Sequence, residues 1–159
     1  MEKKCVYLET SFISYLTGRP SSDVVVAGHQ KITQDWWENR RQHYDLFISG
    51  TVVDEASQGN EDAASRRLAA LEPLTLLDTP DTVTAFVETL LAKHALPAVA
   101  ITDAIHVAMA CIHNMDYLLT WNCKHIANVD RRYMIEEVSL SYGYVPPRIC
   151  TPEELDGED

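Results

Sequence analysis

The chain has 159 residues, of which 46% are hydrophobic and 23% are charged, a mixture typical of one globular domain and not of a disordered or fibrous protein. Its formal net charge of −11 argues against a nucleic-acid partner that is held by the overall charge of the protein. Five of those negative charges lie in residues 153–159, which we expect to be a solvated end of the chain.

The beginning of the chain predicts a cytoplasmic protein with no membrane association. Only a handful of apolar residues precede Glu9, too few for a secretory signal or a bilayer-spanning helix. The cysteines lack C-x-x-C spacing, which disfavours a structural zinc site. We therefore predict that all four are reduced packing residues: Cys5, Cys111, Cys123 and Cys150.

Short apolar runs alternate with helical patterns along the chain. In the first half, the predicted elements are a strand at 5–8, a helix at 12–16, a long helix or helical hairpin at 22–44, a strand at 46–48 and a helix that follows residue 51. In the second half, they are a helix at 64–71, a strand at 74–77, helices at 80–91 and 101–112, a strand at 117–120, a helix at 131–141 and a strand at 148–150.

This alternation predicts an α/β/α sandwich, a Rossmann-like single domain with a central sheet of four or five parallel strands. We place the domain at residues 1–150 and an acidic C-terminal tail at 151–159. In such sheets the active crevice lies beyond the carboxyl ends of the strands, at the point where the strand order reverses. The residues just after each predicted strand are therefore the first candidates for chemistry.

Two helices carry more detailed predictions. Thr51 and Asp54 have capping-box spacing, which predicts a helix start at Thr51. In the helix at 101–112, Asp103 and His106 are predicted to lie opposite an apolar face. That apolar face consists of Ile101, Ile105, Ala108 and Ile112.

Oxygen-bearing side chains that follow three predicted strands, together with one from the first turn of a predicted helix, would meet at one edge of the sheet. They are Glu9, Glu55, Asp103 and Asn122. Three carboxylates and an amide are hard donors that suit Mg²⁺ or Mn²⁺ better than zinc. Such a cluster would hold one or two ions that polarise a phosphodiester and activate water for in-line attack.

Each candidate also has a purely structural interpretation. Glu9 fits a solvated strand end or a charge at the positive N-terminus of the next helix. Asp54 fits a helix cap better than a ligand, and no such role applies to its neighbour Glu55. Asp103 in a first helical turn is electrostatically favourable without any metal.

Further polar residues have candidate roles beside this cluster. His106 is close enough to Asp103 for a hydrogen bond or a supporting role, and Lys124 is a candidate to position a phosphate backbone. The arginine doublets at 40–41, 66–67 and 131–132 fit either phosphate contacts or surface solubility. The chain has no Gly-rich phosphate loop and no G-x-S-x-G motif, which disfavours nucleotide-dependent phosphoryl transfer, dinucleotide redox chemistry and serine hydrolysis.

Four segments together resemble a PIN domain: VYLETSFISYL at 6–16, VVDEA at 52–56, ITDAIHVAMA at 101–110 and DYLLTWNCKHIAN at 116–128. The resemblance covers essentially the whole chain in the family's order, and it is closest to VapC-type toxins of type II toxin–antitoxin modules. It implies an α/β/α sandwich with a ribonuclease site that depends on Mg²⁺ or Mn²⁺. The family's acidic positions fall, in order, on Glu9, Glu55, Asp103 and Asn122.

The resemblance also assigns neighbouring residues and shows two departures. Thr120 matches a hydroxyl residue two positions before the fourth acid, and Thr10 or Ser11 matches the small polar residues after the first. The first acid is usually Asp, so Glu9 would shift its oxygens by about 1.5 Å. Asn122 replaces the usual Asp and removes a negative charge, which leaves a one-metal site, a weaker nuclease and a binding-only relative all open.

The leading hypothesis is thus a metal-dependent endoribonuclease of the toxin type, with RNA as substrate, a cognate antitoxin as partner and a homodimer as assembly. The alternative is a catalytically weak or inactive PIN-like module that binds another protein. Trp36 and Trp37 fit either a contact with such a partner or packing in the core.

Overall fold

In the computed structural model, which describes residues 2–155, strands and helices alternate as the sequence predicts. The strands are β1 (Lys4–Leu8), β2 (Tyr44–Ile48), β3 (Thr75–Leu76), β4 (Tyr117–Leu119) and β5 (Arg148–Cys150). The helices are α1 (Thr10–Thr17), α2 (Val24–Asn39), α3 (Gly50–Ala56), α4 (Glu61–Leu71), α5 (Thr82–Ala92), α6 (Ile101–Ile112) and α7 (Val129–Ser141), with a 3₁₀ turn at Arg41–His43. Over this range no helix is both long and apolar enough to cross a membrane.

The five strands form one sheet in the order β3-β2-β1-β4-β5, and every neighbouring pair is parallel. The predicted α/β fold with a parallel sheet is confirmed. The chain moves outward from β1 to β2 and β3, and then returns to the other side of β1 to add β4 and β5. The strand order therefore reverses between β1 and β4, where an open parallel sheet leaves a crevice.

Strand β1 lies at the centre of the sheet, and its residues Val6, Tyr7 and Leu8 are fully buried. A strand buried on both sides needs helices on both faces of the sheet. Helix α1 packs against α2, α3 and α4, whereas α5 packs against α6 and α7. Right-handed crossovers put these two groups on opposite faces, because the chain crosses the sheet in opposite directions before and after β3.

Helix α3 begins earlier than the sequence predicts. Its N-cap is Ser49, whose Oγ accepts a hydrogen bond from the backbone N–H of Val52 at 3.4 Å. The predicted capping box at Thr51 and Asp54 is therefore wrong, because β2 ends at residue 48 and the helix starts immediately after Ser49. As a result, Asp54 is exposed, and the buried Ser49 hydroxyl contacts Tyr7.

The predicted apolar face of α6 is only partly correct: Ala108 is fully buried and Ile105 and Ile112 are partly buried, but Ile101 is not. Ile101 is 54% exposed, whereas His106 on the predicted polar face is fully buried. Small side chains explain this orientation, because Ala104, Ala108 and Ala110 allow the helix to approach its neighbours closely and are buried themselves. Helix α6 consequently turns His106 into the protein, towards the sheet.

Residues 151–155, the part of the predicted tail that the structure describes, pack against the domain. Trp36 is 2% exposed, and its indole N–H donates to the carbonyl oxygen of Leu155 at 2.9 Å. Glu154 pairs with Arg132 of α7 at 3.2 Å. Trp36 thus belongs to the core, whereas the half-buried Trp37 carries the Arg41 guanidinium 4.6 Å above its ring. The remaining tail residues, 156–159, lie outside the described residues.

All four cysteines are free. Cys111 and Cys150 are buried, and burial raises the pKa of both thiols to about 12, so they are inert packing residues as predicted. Cys5 is half-buried. The prediction is wrong for Cys123, which is exposed because it lies in the turn that follows β4.

Candidate active site

A cleft of about 520 Å³ lies beyond the carboxyl ends of β1 and β4, where the strand order reverses. It is lined by all four residues that the sequence suggested as an acidic cluster: Glu9, Glu55, Asp103 and Asn122. They come from the end of β1, from α3, from the first turn of α6 and from the turn after β4. The fold therefore brings these distant positions to one surface.

Glu9 connects the central strand to α1. It is the N-cap of α1, and one carboxylate oxygen, Oε2, accepts the backbone N–H of Ser11 at 3.0 Å. The other, Oε1, accepts the hydroxyl groups of Ser11 and Thr120, the latter at 2.5 Å. Glu9 is only 4% exposed, and these three donors together with the positive helix N-terminus stabilise its charge.

The two hydroxyl groups at Glu9 are oriented by the backbone that follows β4. Ser11 Oγ accepts the backbone N–H of Trp121 at 2.8 Å, and Thr120 Oγ1 accepts that of Asn122 at 2.9 Å. Each hydroxyl then uses its own proton to donate to Glu9. This network ties the end of β1 to the end of β4 directly beneath the cleft.

Glu55 is held through a single oxygen. Its Oε1 lies 2.6 Å from Thr10 Oγ1 and 2.5 Å from His106 Nε2, whereas no hydrogen bond within residues 2–155 reaches its Oε2. Burial raises the pKa of Glu55, but the hydrogen bonds from His106 and Thr10 outweigh it and lower the pKa below its ordinary value. Glu55 is therefore a carboxylate at neutral pH.

Asp103 and Asn122 are linked through His125. Asp103 Oδ2 lies 2.8 Å from His125 Nδ1, and Asn122 Oδ1 accepts the backbone N–H of His125 at 3.0 Å. Asn122 thus shapes the turn that carries His125. Among the described residues, no hydrogen bond reaches Asp103 Oδ1, which leaves this oxygen open to the cleft.

The cleft therefore has two differently built parts. We call the first part the inner wall, which consists of Glu9, Thr10, Ser11, Glu55, His106 and Thr120. The second part is the outer wall, which consists of Asp103, Asn122 and His125. Glu9, Glu55 and His106 present ligand atoms within 4.8 Å of one another, and within residues 2–155 Asp103 does not belong to that close group.

The remaining residues suggested by the sequence differ in whether they reach the cleft. The expected hydrogen bond between His106 and Asp103 does not form. His106 bonds Glu55 instead, because its side chain points inward from α6. Lys124 is exposed and is not among the residues that line the cleft. Arg67 does line it, and its Nε and Nη2 donate to the carbonyl oxygens of residues 56 and 58 at 3.0 and 2.5 Å. The only sequence signal for Arg67 was the doublet at 66–67.

An aromatic group borders the same cleft. Tyr15 and Trp121 line it, and the Trp121 ring stacks on His29 with centroids 4.0 Å apart. The indole N–H of Trp121 donates to Thr33 Oγ1 at 2.7 Å, which fixes the ring in place. This group was not identified from the sequence, since it combines residues from α1, α2 and the turn after β4.

The strand order and the position of the cleft define the class of this protein as an α/β domain with a parallel sheet and a cleft at its reversal point. Several solved structures share its fold, among them the following three. VapBC2 from Rickettsia felis, bound to a DNA fragment from its promoter, has a TM-score of 0.61 and 15% identity, covering 92% of this chain and 98% of that chain. VapC20 from Mycobacterium tuberculosis, a toxin that cleaves the sarcin-ricin loop, has a TM-score of 0.58 and 13% identity, covering 88% and 96%. VapBC-1 from nontypeable Haemophilus influenzae has a TM-score of 0.59 and 16% identity, covering 94% and 98%.

Neither a protein-family model nor a curated protein matches the sequence. The solved structures, however, show that the chain has the PIN-domain fold of the VapC toxins. The resemblance drawn from its sequence motifs is thus confirmed at the level of the fold.

Proposed function

We propose that this protein is a divalent-metal-dependent endoribonuclease that hydrolyses RNA phosphodiester bonds and acts in the cytoplasm as a VapC-like toxin. The observation that supports this proposal best is the meeting of three carboxylates, Glu9, Glu55 and Asp103, in one cleft at the reversal point of a VapC-like sheet. These residues are separated by tens of positions in the chain, and no hydrogen bond among the described residues joins any two of their carboxylates.

The donors in the cleft fit a hard divalent cation, Mg²⁺ or Mn²⁺. Each carboxylate oxygen offers two lone pairs, so Glu9 keeps one on Oε2, while Glu55 Oε2 and Asp103 Oδ1 keep both. Oxygen-only donor sets of this kind suit Mg²⁺ and Mn²⁺. Asn122 is the weaker candidate ligand, since its oxygen already accepts the backbone N–H of His125.

A bound divalent ion supplies a Lewis acid that polarises the scissile phosphate and lowers the pKa of the attacking water. The chain's own residues fix the geometry. Ser11 and Thr120 orient Glu9, while Thr10 orients Glu55. Arg67 places a cation in the cleft that can contact an RNA phosphate, and Lys124 and the exposed surface around it would contact RNA farther from the cut.

The net charge of −11 is compatible with this substrate. Part of the negative charge is in the tail, and the carboxylates of the cleft are neutralised when a cation is bound. RNA binding should then depend on the metal and on a few basic side chains instead of the overall field of the protein.

Cleavage of a panel of RNA oligonucleotides in Mn²⁺ tests the nuclease. We expect Asp103→Asn to lose most activity and Asp54→Asn, an exposed change on the same helix as Glu55, to keep it. Equal cleavage by the wild type and Asp103→Asn would remove the assignment.

The toxin role implies a cognate antitoxin that covers the cleft and a homodimer that extends the RNA-binding groove. Two of the similar structures are VapBC complexes. Expression of the wild-type chain should arrest growth of its native host, and co-expression of an adjacent small reading frame should relieve the arrest. Unimpaired growth would leave a nuclease without a toxin role.

A second candidate function is protein binding without cleavage. The observation that favours it is Asn122, which stands in the fourth acidic position and has its oxygen committed to the following turn. A binding-only protein should gain no specific stability from Mn²⁺. A thermal shift that appears in Mn²⁺ and disappears in Asp103→Asn would argue against this candidate.

A further inference from the structure

A buried line of hydrogen bonds runs behind the cleft and ends at Glu55. Ser49 Oγ lies 2.7 Å from the Tyr7 hydroxyl, which lies 2.6 Å from His106 Nδ1, and His106 Nε2 lies 2.5 Å from Glu55 Oε1. Tyr7 and His106 are fully buried and Ser49 is 1% exposed. Three separate elements, β1, the N-cap of α3 and α6, contribute to this line.

The hydrogen atoms along this line can be assigned from its two ends. Ser49 Oγ accepts the backbone N–H of Val52, so its own proton is available to the Tyr7 oxygen. At the other end, the Glu55 carboxylate can only accept, so His106 Nε2 must carry a hydrogen. With Nε2 carrying the hydrogen, His106 Nδ1 has a free lone pair, and the Tyr7 hydroxyl, which accepts from Ser49, donates its own proton to it.

This assignment decides between two roles for His106. Its Nε2 lies close enough to Glu9 and Glu55 to share a metal ion with them. A ring nitrogen that carries a hydrogen has no lone pair for a metal, however, and the other ring nitrogen faces Tyr7, away from Glu55.

We propose that Tyr7 and His106 are positioning residues that hold Glu55 through Oε1 and leave Oε2 free for the divalent ion, with His106 itself outside the ligand set. This inference rests on the proposed metal-dependent function and adds two residues to that site. Partners of this kind typically change metal affinity by 10- to 100-fold when they are removed.

Nitrogen-15 NMR of the histidine side chains tests the assignment directly. In the wild-type protein, His106 Nε2 should remain protonated both in the metal-free state and in saturating Mg²⁺, and its signal is identified by its loss in His106→Gln. Loss of the Nε2 hydrogen when Mg²⁺ is added would make His106 a ligand and overturn the proposal. A metal-free ring that carries its hydrogen only on Nδ1 would overturn it as well.

Titration with Mn²⁺ alone, followed by calorimetry, tests the consequence for the ion. Tyr7→Phe removes only the hydroxyl, and we expect its Mn²⁺ dissociation constant to rise about tenfold. The matched control is Tyr142→Phe, which removes a hydroxyl that bonds Thr89 Oγ1 at 2.6 Å in a part of the chain that does not line the cleft. The control should bind Mn²⁺ as the wild type does.

The two proposals fail in different ways. If the wild type binds no Mn²⁺, the metal site and the nuclease proposed with it are overturned. If the wild type and Tyr7→Phe bind Mn²⁺ equally, only the positioning role is overturned. Should Tyr7→Phe fold poorly, His106→Gln provides a second measurement, because its amide keeps a donor for Glu55 and should lose less affinity than His106→Leu.

Discussion

The inner and outer walls of the cleft hold their carboxylates by different means. On the inner wall, Glu9 accepts three hydrogen bonds and Glu55 accepts two, from donors in α1, in α6 and directly after β4. On the outer wall, Asp103 accepts one, from a histidine in the turn after β4. The comparison separates two kinds of support, since the contacts of the inner wall also connect elements of the fold, whereas Asp103 on the outer wall is held only by a turn.

The largest expected effect is a difference in stability between variants of the two histidines, His106 and His125. His106→Leu should lower the free energy of unfolding by about 3 kcal/mol, because it leaves the buried Tyr7 O–H without an acceptor and removes one of the two hydrogen bonds to Glu55. His125→Leu should cost less than about 1 kcal/mol, because the side chain is 25% exposed and water can replace it at Asp103. Urea unfolding in EDTA measures both, and equal losses would contradict the division into two walls.

Asp103 should matter for metal binding far more than for the stability of the metal-free fold. At a Mn²⁺ concentration 100 times its Kd, the wild type should gain about 2.7 kcal/mol of stability. Asp103→Asn should lose most of this gain, while its metal-free stability stays within about 0.5 kcal/mol of the wild type, because an amide oxygen can still accept from His125. Thermal unfolding with and without Mn²⁺ gives both numbers. A large metal-free loss would place Asp103 with the inner wall.

The Thr120 hydroxyl gives a sharper test of the inner wall alone. Thr120→Val has nearly the same shape but removes the donor to Glu9 and the acceptor for the backbone N–H of Asn122. Because Thr120 is fully buried, we expect a loss of about 2 kcal/mol in unfolding free energy. Thr120→Ser keeps the hydroxyl and should recover more than half of that loss. A Val variant as stable as the wild type would show that this hydrogen bond network contributes little.

The smallest expected effect is a dependence on pH. The pKa of Glu55 is lower in the folded protein than its ordinary value of 4.5, so its stabilising effect is present above that pH and disappears as the pH falls through the folded value. The wild type should therefore lose stability more steeply than Glu55→Gln between about pH 5 and pH 3 in EDTA. Parallel pH profiles from urea unfolding would contradict this expectation.

The sequence predicted the candidate cleft well because simple geometry determines it. Strands that run parallel end at one edge of a sheet, so residues such as Glu9 and Asn122, which follow two of the predicted strands, were expected to meet. The apolar runs of those strands are short and bounded by polar residues, which makes them easy to recognise. These signals are local, and the parallel arrangement of the strands then brings the residues that follow them to one edge of the sheet.

The contacts behind the cleft could not be predicted in the same way. The bond between His106 and Glu55 depends on how α6 is rotated about its axis, and counting large apolar residues placed Ile101 inward and His106 outward. Packing places Ile101 at the surface and His106 inside instead, since the alanines of α6 fit closely inside the protein. Similarly, the contact of Asp103 with His125 depends on a turn whose shape is set by the side chain of Asn122.

At the base of the cleft, Thr120 donates a hydrogen bond to Glu9, and the two residues are 111 positions apart in the chain. A ribosome that has released only β1, β2 and β3 has therefore produced a chain in which the central strand still lacks one of its two neighbours. Contacts of such long range form late, after the intervening helices have emerged. A nascent chain thus has no complete cleft. The assembled site exists only in molecules whose synthesis has passed β4.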